Sequence, residues 1–184
     1  MRFRNSKVIS LAAVVLVALV VAGSAMAANV TATATVSAGT LSLSTSAAPS
    51  VSATLDGTDQ SPSYTLPMTI NDATGSGTGW NVTVTSTAFT TGSKSLSNSA
   101  STITGATSSC AASTTCTNPT NSVGYNLGLP AGATAPTAVK LFNATANTGM
   151  GSFTVTPSVS VAIPANTYAG SYSSTVTVAV VSGP

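Results

Sequence analysis

The sequence predicts an all-β fold, an immunoglobulin-like antiparallel β-sandwich behind an N-terminal signal helix. Three observations carry this expectation. Apolar and hydroxyl residues alternate with period two through most of the chain, the pattern of strands with one buried face. Turn-forming groups, Asp56-Gly57, Gly75-Ser76-Gly77, Pro130-Ala131-Gly132 and Ala169-Gly170, interrupt the alternation where the chain should reverse. After residue 22 no segment keeps a 3.6-residue apolar stripe over three turns. Many short strands with regular turns suit a sandwich.

Residues 8–22 (VISLAAVVLVALVVA) form the one long apolar run. Arg2, Arg4 and Lys7 precede it, and Ala25-Met26-Ala27 follows as a small-x-small site. This is the layout of a secretory signal peptide over residues 1–27, cleaved between Ala27 and Ala28. The remaining 157 residues, 28–184, suit a single domain, and no linker divides them. Strands are expected at 30–37 (VTATATVS), 40–46 (TLSLSTS), 51–55 (VSATL), 64–70 (YTLPMTI) and 80–89 (WNVTVTSTAF). Thr and Val dominate them because β-branched side chains suit a pleated surface.

Residues 90–121 break the pattern with few large apolar side chains. They read as a long Ser/Thr-rich surface excursion holding a short strand at 101–104. Loops of that length are commonly functional or mobile, and a tolerated insertion at a sandwich edge is the other reading. The alternation returns at 138–142 (AVKLF), 152–163 (SFTVTPSVSVAI) and 172–181 (YSSTVTVAVV).

Composition narrows function. The chain is 43% hydrophobic and only 4% charged, against about 25% charged in an ordinary soluble domain. Three of the five basic residues lie in the signal, which leaves Lys94 and Lys140 against Asp56, Asp59 and Asp72, a net charge of −1. The sequence pI of 8.7 therefore belongs to the targeting segment. Two lysines cannot neutralise a run of phosphates, which excludes nucleic acid as a partner. An electrostatic membrane-surface role fails for the same reason. With no His and no Glu, Ser-His-Asp and Cys-His constellations cannot be assembled, and two Cys are too few for a zinc site. A glycosidase needs two carboxyl groups flanking one bond, and three aspartates barely allow it. The expectation is a non-enzymatic protein with no cofactor and no metal.

Cys110 and Cys116 bracket CAASTTC, and in an exported protein a disulfide closing this small loop is expected. The spacing is wider than the C-x-x-C of redox pairs, and no thiolate-stabilising neighbour stands beside it. Asp56 and Asp59 share a turn but supply too few oxygens for a calcium site, unless the fold brings Asp72 to them. Asn29, Asn81 and Asn143 each begin an N-x-[ST] triplet, a weak signal in so Ser/Thr-rich a chain. Trp80, the only Trp, shares one strand face with Val82 and Val84. It reads either as a core anchor or as a platform for a sugar ring or partner side chain. Tyr64, Tyr125, Tyr168 and Tyr172 are the other large amphipathic side chains, with Tyr172 expected at the corner before the last strand.

Two segments together resemble the WxL domain, a cell-surface module of Gram-positive bacteria. Gly79-Trp80-Asn81-Val82-Thr83-Val84, followed by Ala88-Phe89-Thr90, resembles the family's early GW-x-L/V strand. Gly149-Met150-Gly151-Ser152-Phe153, then residues 163–172 (IPANTYAGSY) and Ser182-Gly183-Pro184, resemble its closing block. The name-giving tripeptide occurs twice in the family. Here the first stands as Trp80-Asn81-Val82, whereas the second position reads Val178-Ala179-Val180 and lacks its Trp. The resemblance implies a secreted cell-surface protein attached non-covalently to peptidoglycan or another wall glycan. It makes Trp80 and Val82 the ligand-contact candidates.

Attachment without a covalent link is also what the sequence leads one to expect. No Cys stands at the cleavage site, and no LPxTG-like signal, apolar span or basic tail follows the last strand. No membrane partner is expected once the signal is removed. Other surface proteins and further copies of the chain remain as partners. The alternative function is a self-assembling fibre or coat subunit. Its motive is the uncharged alternating segment 28–37 (ANVTATATVS), which can enter a neighbour's sheet by β-strand addition. The same segment also reads as the first strand of its own sandwich.

Overall fold

The computed structural model describes residues 29–45 and 48–184. The expected signal peptide and the cleavage point between Ala27 and Ala28 lie outside them. Two compact units are distinguished, residues 1–35 and 36–184. In the first, the described residues 29–35 are exposed and form no strand. The expected strand at 30–37 is therefore absent, because nothing among the described residues supplies these side chains with a buried face.

The second unit is a β-sandwich. Its first strand, β1 (Leu41–Ser44), is shorter than the alternation suggests. Residues 51–55 form no strand: Val51 alone packs against the core, while Leu55 is exposed. The expected strand at 64–70 divides into β2 (Ser63–Thr65) and β3 (Met68–Asp72). Proline is the cause: Leu66, in the gap, lies opposite Pro157, which has no N–H to return to it. Next come β4 (Trp80–Thr87) and a small hairpin of β5 (Thr90–Thr91) and β6 (Lys94–Ser95). They are followed by β7 (Ser101–Cys110), β8 (Leu127–Gly128) and β9 (Ala131–Gly132). The last three are β10 (Val139–Ala144), β11 (Gly151–Val161) and β12 (Val176–Ser182).

One sheet runs β1-β3-β11-β7-β8, with β2 also paired to β11; the other runs β10-β4-β12, with β9 beside β4. All pairs are antiparallel except β9 with β4. The strand β11 organises the first sheet. Its buried Phe153, Val155, Pro157, Val159 and Val161 alternate with half-exposed Thr154, Thr156, Ser158 and Ser160. Pro157 in this central strand makes the break between β2 and β3. Its carbonyl still accepts the Leu66 N–H at 3.0 Å, so the ladder loses one bond of that pair and keeps the other.

The excursion expected at 90–121 is corrected by β7, which continues past 104 to Cys110 and pairs with β11 from Ser101 to Cys110. Its outer half (Gly105–Cys110) carries small residues, exposed from Thr107 onward, so no alternation announces it. A register shift opposite Ser158–Val159 leaves Thr104 as an extra residue beside Gly105, a bulge. A second bulge at Leu141 turns four consecutive residues of β10, Leu141, Phe142, Asn143 and Ala144, into the interior.

The inner faces of both sheets meet in one core. Tyr64, Met68, Ile70, Ile103, Phe153, Val155, Val159 and Val161 come from the first sheet. Trp80, Val82, Val84, Leu141 and Phe142 come from the second. Phe153 is completely buried and its ring lies 6.3 Å from that of Trp80, so it couples the sheets. Phe153→Ala is expected to cost about 3–5 kcal/mol, the range for an aromatic deleted from a packed core. A fall in the urea midpoint at unchanged slope checks it. The Cys110–Cys116 bridge closes a loop at the end of β7 with a Cα–Cα distance of 5.9 Å. Replacing both cysteines by serine is expected to lower stability by about 2 kcal/mol on the chain-entropy scale for so short a loop, measured by the same titration.

Candidate functional site

The strand β4 joins two clusters, one at each of its ends. At its start Gly79 adopts φ +75°, and a Cβ there would overlap the Ala144 carbonyl. Only glycine lets the chain approach β10 so closely before Trp80 turns inward. The Trp80 ring is 0% exposed, stacked at 5.9 Å on Phe142 and tilted at 6.3 Å against Phe153. Its Nε1–H donates to the Gly149 carbonyl at 2.8 Å. Gly149 (φ +72°) lies so tightly under the ring that a Cβ would sit 2.7 Å from Nε1. Thr117 holds this turn in place, donating to the Met150 carbonyl and accepting from the Gly149 N–H. Thr117 directly follows the disulfide, and Gly151 packs against Cys116. On the other side Gly183 N–H donates to the Gly79 carbonyl, and Asn81 Nδ2 donates to the Gly183 carbonyl at 2.8 Å.

At the far end of β4 the loop 164–175 docks on the β5–β6 hairpin. Thr90 and Ser173 exchange backbone hydrogen bonds at 3.0 Å, and Ser174 Oγ donates to the Thr87 carbonyl. Gly170 lies flush against Thr91, since a Cβ there would be 3.2 Å from both Cγ2 and Oγ1. Tyr172 Oη donates to the Tyr168 carbonyl at 3.0 Å and closes the corner. Tyr168 itself is 63% exposed, and Lys94 Nζ stands 4.1 Å from its ring centroid, a cation–π contact. An aromatic ring, an ammonium group and the Thr91 hydroxyl thus share one exposed corner.

The WxL family model, described as a surface cell wall-binding domain, matches residues 25–184. The chain belongs to the WxL family. No curated protein and no solved structure matches it. This WxL domain is a cell-surface protein of the wall, and its two characteristic blocks meet in space. Gly79-Trp80, Gly149 and Gly183 close one end of the sandwich together, whereas Tyr168, Gly170 and Tyr172 build the corner at the other. Val180 pairs with Val82 and Val178 with Val84, so residues 178–180 of β12 lie across from residues 82–84 of β4.

Trp80 and Val82, the ligand-contact candidates of the sequence, are both fully buried. That burial is what a core anchor requires, and any part they play toward a ligand runs through the groups they position. The three carboxylates are occupied locally. Asp56 accepts from the Thr58 hydroxyl and N–H and from Gln60, and these bonds hold its carboxyl below the usual range. Asp59 accepts the Ala165 N–H, and Asp72 accepts the Thr74 N–H and hydroxyl. Among the described residues no group of three His, Cys, Asp or Glu gathers where a metal could sit. Asn143 is buried, with its Oδ1 accepting from Ser122, and Asn81 is engaged with Gly183; Asn29 is exposed. A shallow groove of about 400 Å³ is lined by Pro49, Ser50, Ser63, Tyr64, Thr65 and Ser158, and carries no charged group.

The sequence reading named Tyr168 and Lys94 without joining them. They lie 74 residues apart in the chain, and only the docking of the closing block on the hairpin brings them together. Trp80→Phe keeps a ring but leaves the buried Gly149 carbonyl without its donor, an expected loss of about 1–3 kcal/mol. Gly149→Ala adds a clash and a disfavoured φ, and its unfolding midpoint is expected to fall further than that of Trp80→Phe.

Proposed function

We propose that the protein holds non-covalently to a wall glycan through the corner of Tyr168, Lys94, Thr91 and Tyr172, without catalysing a reaction. The family supplies the coarse reading, a wall-binding surface domain. The observation that supports this contact is the exposure of Tyr168 beside Lys94. An exposed aromatic ring offers an apolar face to the C–H groups of a sugar, and Tyr presents this area with little side-chain freedom to lose. Hydroxyl and ammonium donors around it then recognise ring oxygens. Lys94 adds a single charge suited to the carboxylates of a peptidoglycan stem or the phosphates of a wall polymer. With one charge in the contact, screening by salt takes little from the affinity. Trp80 and Val82 contribute by keeping β4 straight and anchored between the two ends.

Co-sedimentation of the secreted protein with bare wall sacculi, beside a protein-only spin control, tests this. At a speed that leaves protein oligomers in the supernatant, pelleting is expected only with sacculi and is expected to change little at high salt. Tyr168→Ala is expected to weaken it about tenfold or more, the scale of a binding hot spot, while the unfolding midpoint stays with that of the parent. A variant that binds as the parent does would move the contact away from this corner. A parent that does not pellet would remove the glycan reading itself.

A further inference from the structure

The edge of the second sheet leads to a partner that the wall reading does not use. Strand β12 pairs with β4 from Val176 to Ser182 and hydrogen-bonds no second strand among the described residues, although β1 of the other sheet comes near it without pairing. The ladder decides which of its backbone groups remain open. Thr87 N–H donates to Thr175 O and Gly183 N–H donates to Gly79 O, so the odd-numbered residues of β12 face β4. By the period of two, Val176, Val178, Val180 and Ser182 turn their N–H and C=O groups to the open side. Sheet edges are ordinarily blunted by shortness, bulges, lysine or proline. Among the other edges, β1 has four residues, β8 has two, and β10 carries Lys140 and the bulge at Leu141. β12 has seven residues, an unbroken register, no charge and no proline.

A segment with the matching chemistry lies elsewhere in the chain. Residues 30–36 read VTATATV, seven residues, with Val30, Ala32, Ala34 and Val36 on one side and Thr31, Thr33 and Thr35 on the other. They form no strand, and Val30 and Val36 are 89% and 94% exposed. Two exposed valines on an uncharged, β-branched segment are stable in water only at a cost in apolar area, which a sheet edge removes.

We propose that residues 30–36 of one copy add as a strand to the open edge of β12 in a second copy. The incoming segment runs parallel to β12, so the main-chain groups of Val176, Val178, Val180 and Ser182 bond those of Thr31, Thr33 and Thr35. The apolar side of the incoming segment extends the inner face already formed by Val176, Val178 and Val180. Each copy carries one donor and one acceptor, so the contact is head-to-tail and propagates into a linear polymer.

The test uses two variants of the secreted protein. Thr33→Pro removes a donor N–H in a segment that forms no strand among the described residues. Val178→Pro removes an N–H that faces away from β4, so the native ladder keeps its bonds; circular dichroism and an unfolding curve verify its fold. By analytical ultracentrifugation the parent is expected to form a concentration-dependent series of oligomers. Each variant alone is expected to be monomeric, with the Thr33→Pro melting point unchanged. Mixed, the two variants are expected to give a dimer and nothing larger, because only one intact donor and one intact acceptor can meet. A monomeric parent at every concentration would overturn the proposal, as would Thr33→Pro oligomers like those of the parent. So would a lowered melting point in a monomeric Thr33→Pro, which would make the segment a strand of its own sandwich. If Val178→Pro does not fold, the Thr33→Pro comparison decides alone.

Discussion

The indole N–H of Trp80 bonded to the Gly149 carbonyl is the constraint on which the rest of the sandwich depends. A buried carbonyl must find a donor, and here the donor sits on the largest side chain of the core. The ring must therefore lie at one depth and one angle. That position requires glycine at 79, where β4 passes β10, and glycine at 149, where the turn passes beneath the ring. It also gives Phe142 and Phe153 their places, one from each sheet. The disulfide, the Thr117 bridge and the Gly183 clamp are arranged around this turn, so one polar bond inside an apolar cluster ties together four distant stretches of chain.

Alternation made much of the fold legible before any coordinates. It worked best where a strand buries one complete face, as in β4 and β11, because burial then writes itself into every second residue. It failed in two opposite ways. At 30–37 the pattern is regular but the described structure offers it no core, so periodicity without a partner produced no strand. In β7 the strand is long but its outer half is made of small residues, exposed from Thr107 onward, where Gly105 and the serines satisfy pairing without recording it. The division of β2 from β3 comes from Pro157 across the ladder, a cause in a strand about 90 residues away that the local sequence does not show.

The site was less legible than the fold. The closing block could be recognised, and Tyr172 was expected at a corner, yet the exposed member of the pair is Tyr168. Which of two tyrosines in TYAGSY is wet depends on Gly170 lying flush against Thr91, a contact with a segment nearly 80 residues away. Trp80 drew attention because it is unique, and uniqueness says nothing about which way a ring points. At position 178, where the resemblance sets the second tripeptide, the chain has valine. That position is a partly buried neighbour of Val84 in the ladder, and a β-branched side chain serves there.

The two lysines left beyond the expected signal have a consequence for survival outside the cell. A trypsin-like protease cuts after Lys or Arg and needs some residues of extended, unpaired chain around the cleaved bond. Lys140 lies within the β10–β4 ladder, and Lys94 is paired to Thr91 with its ammonium against Tyr168. Each cleavable bond of the sandwich is therefore withheld by a strand pair, and cutting must await local opening. A surface poor in charge thus also leaves such a protease few places at which to begin.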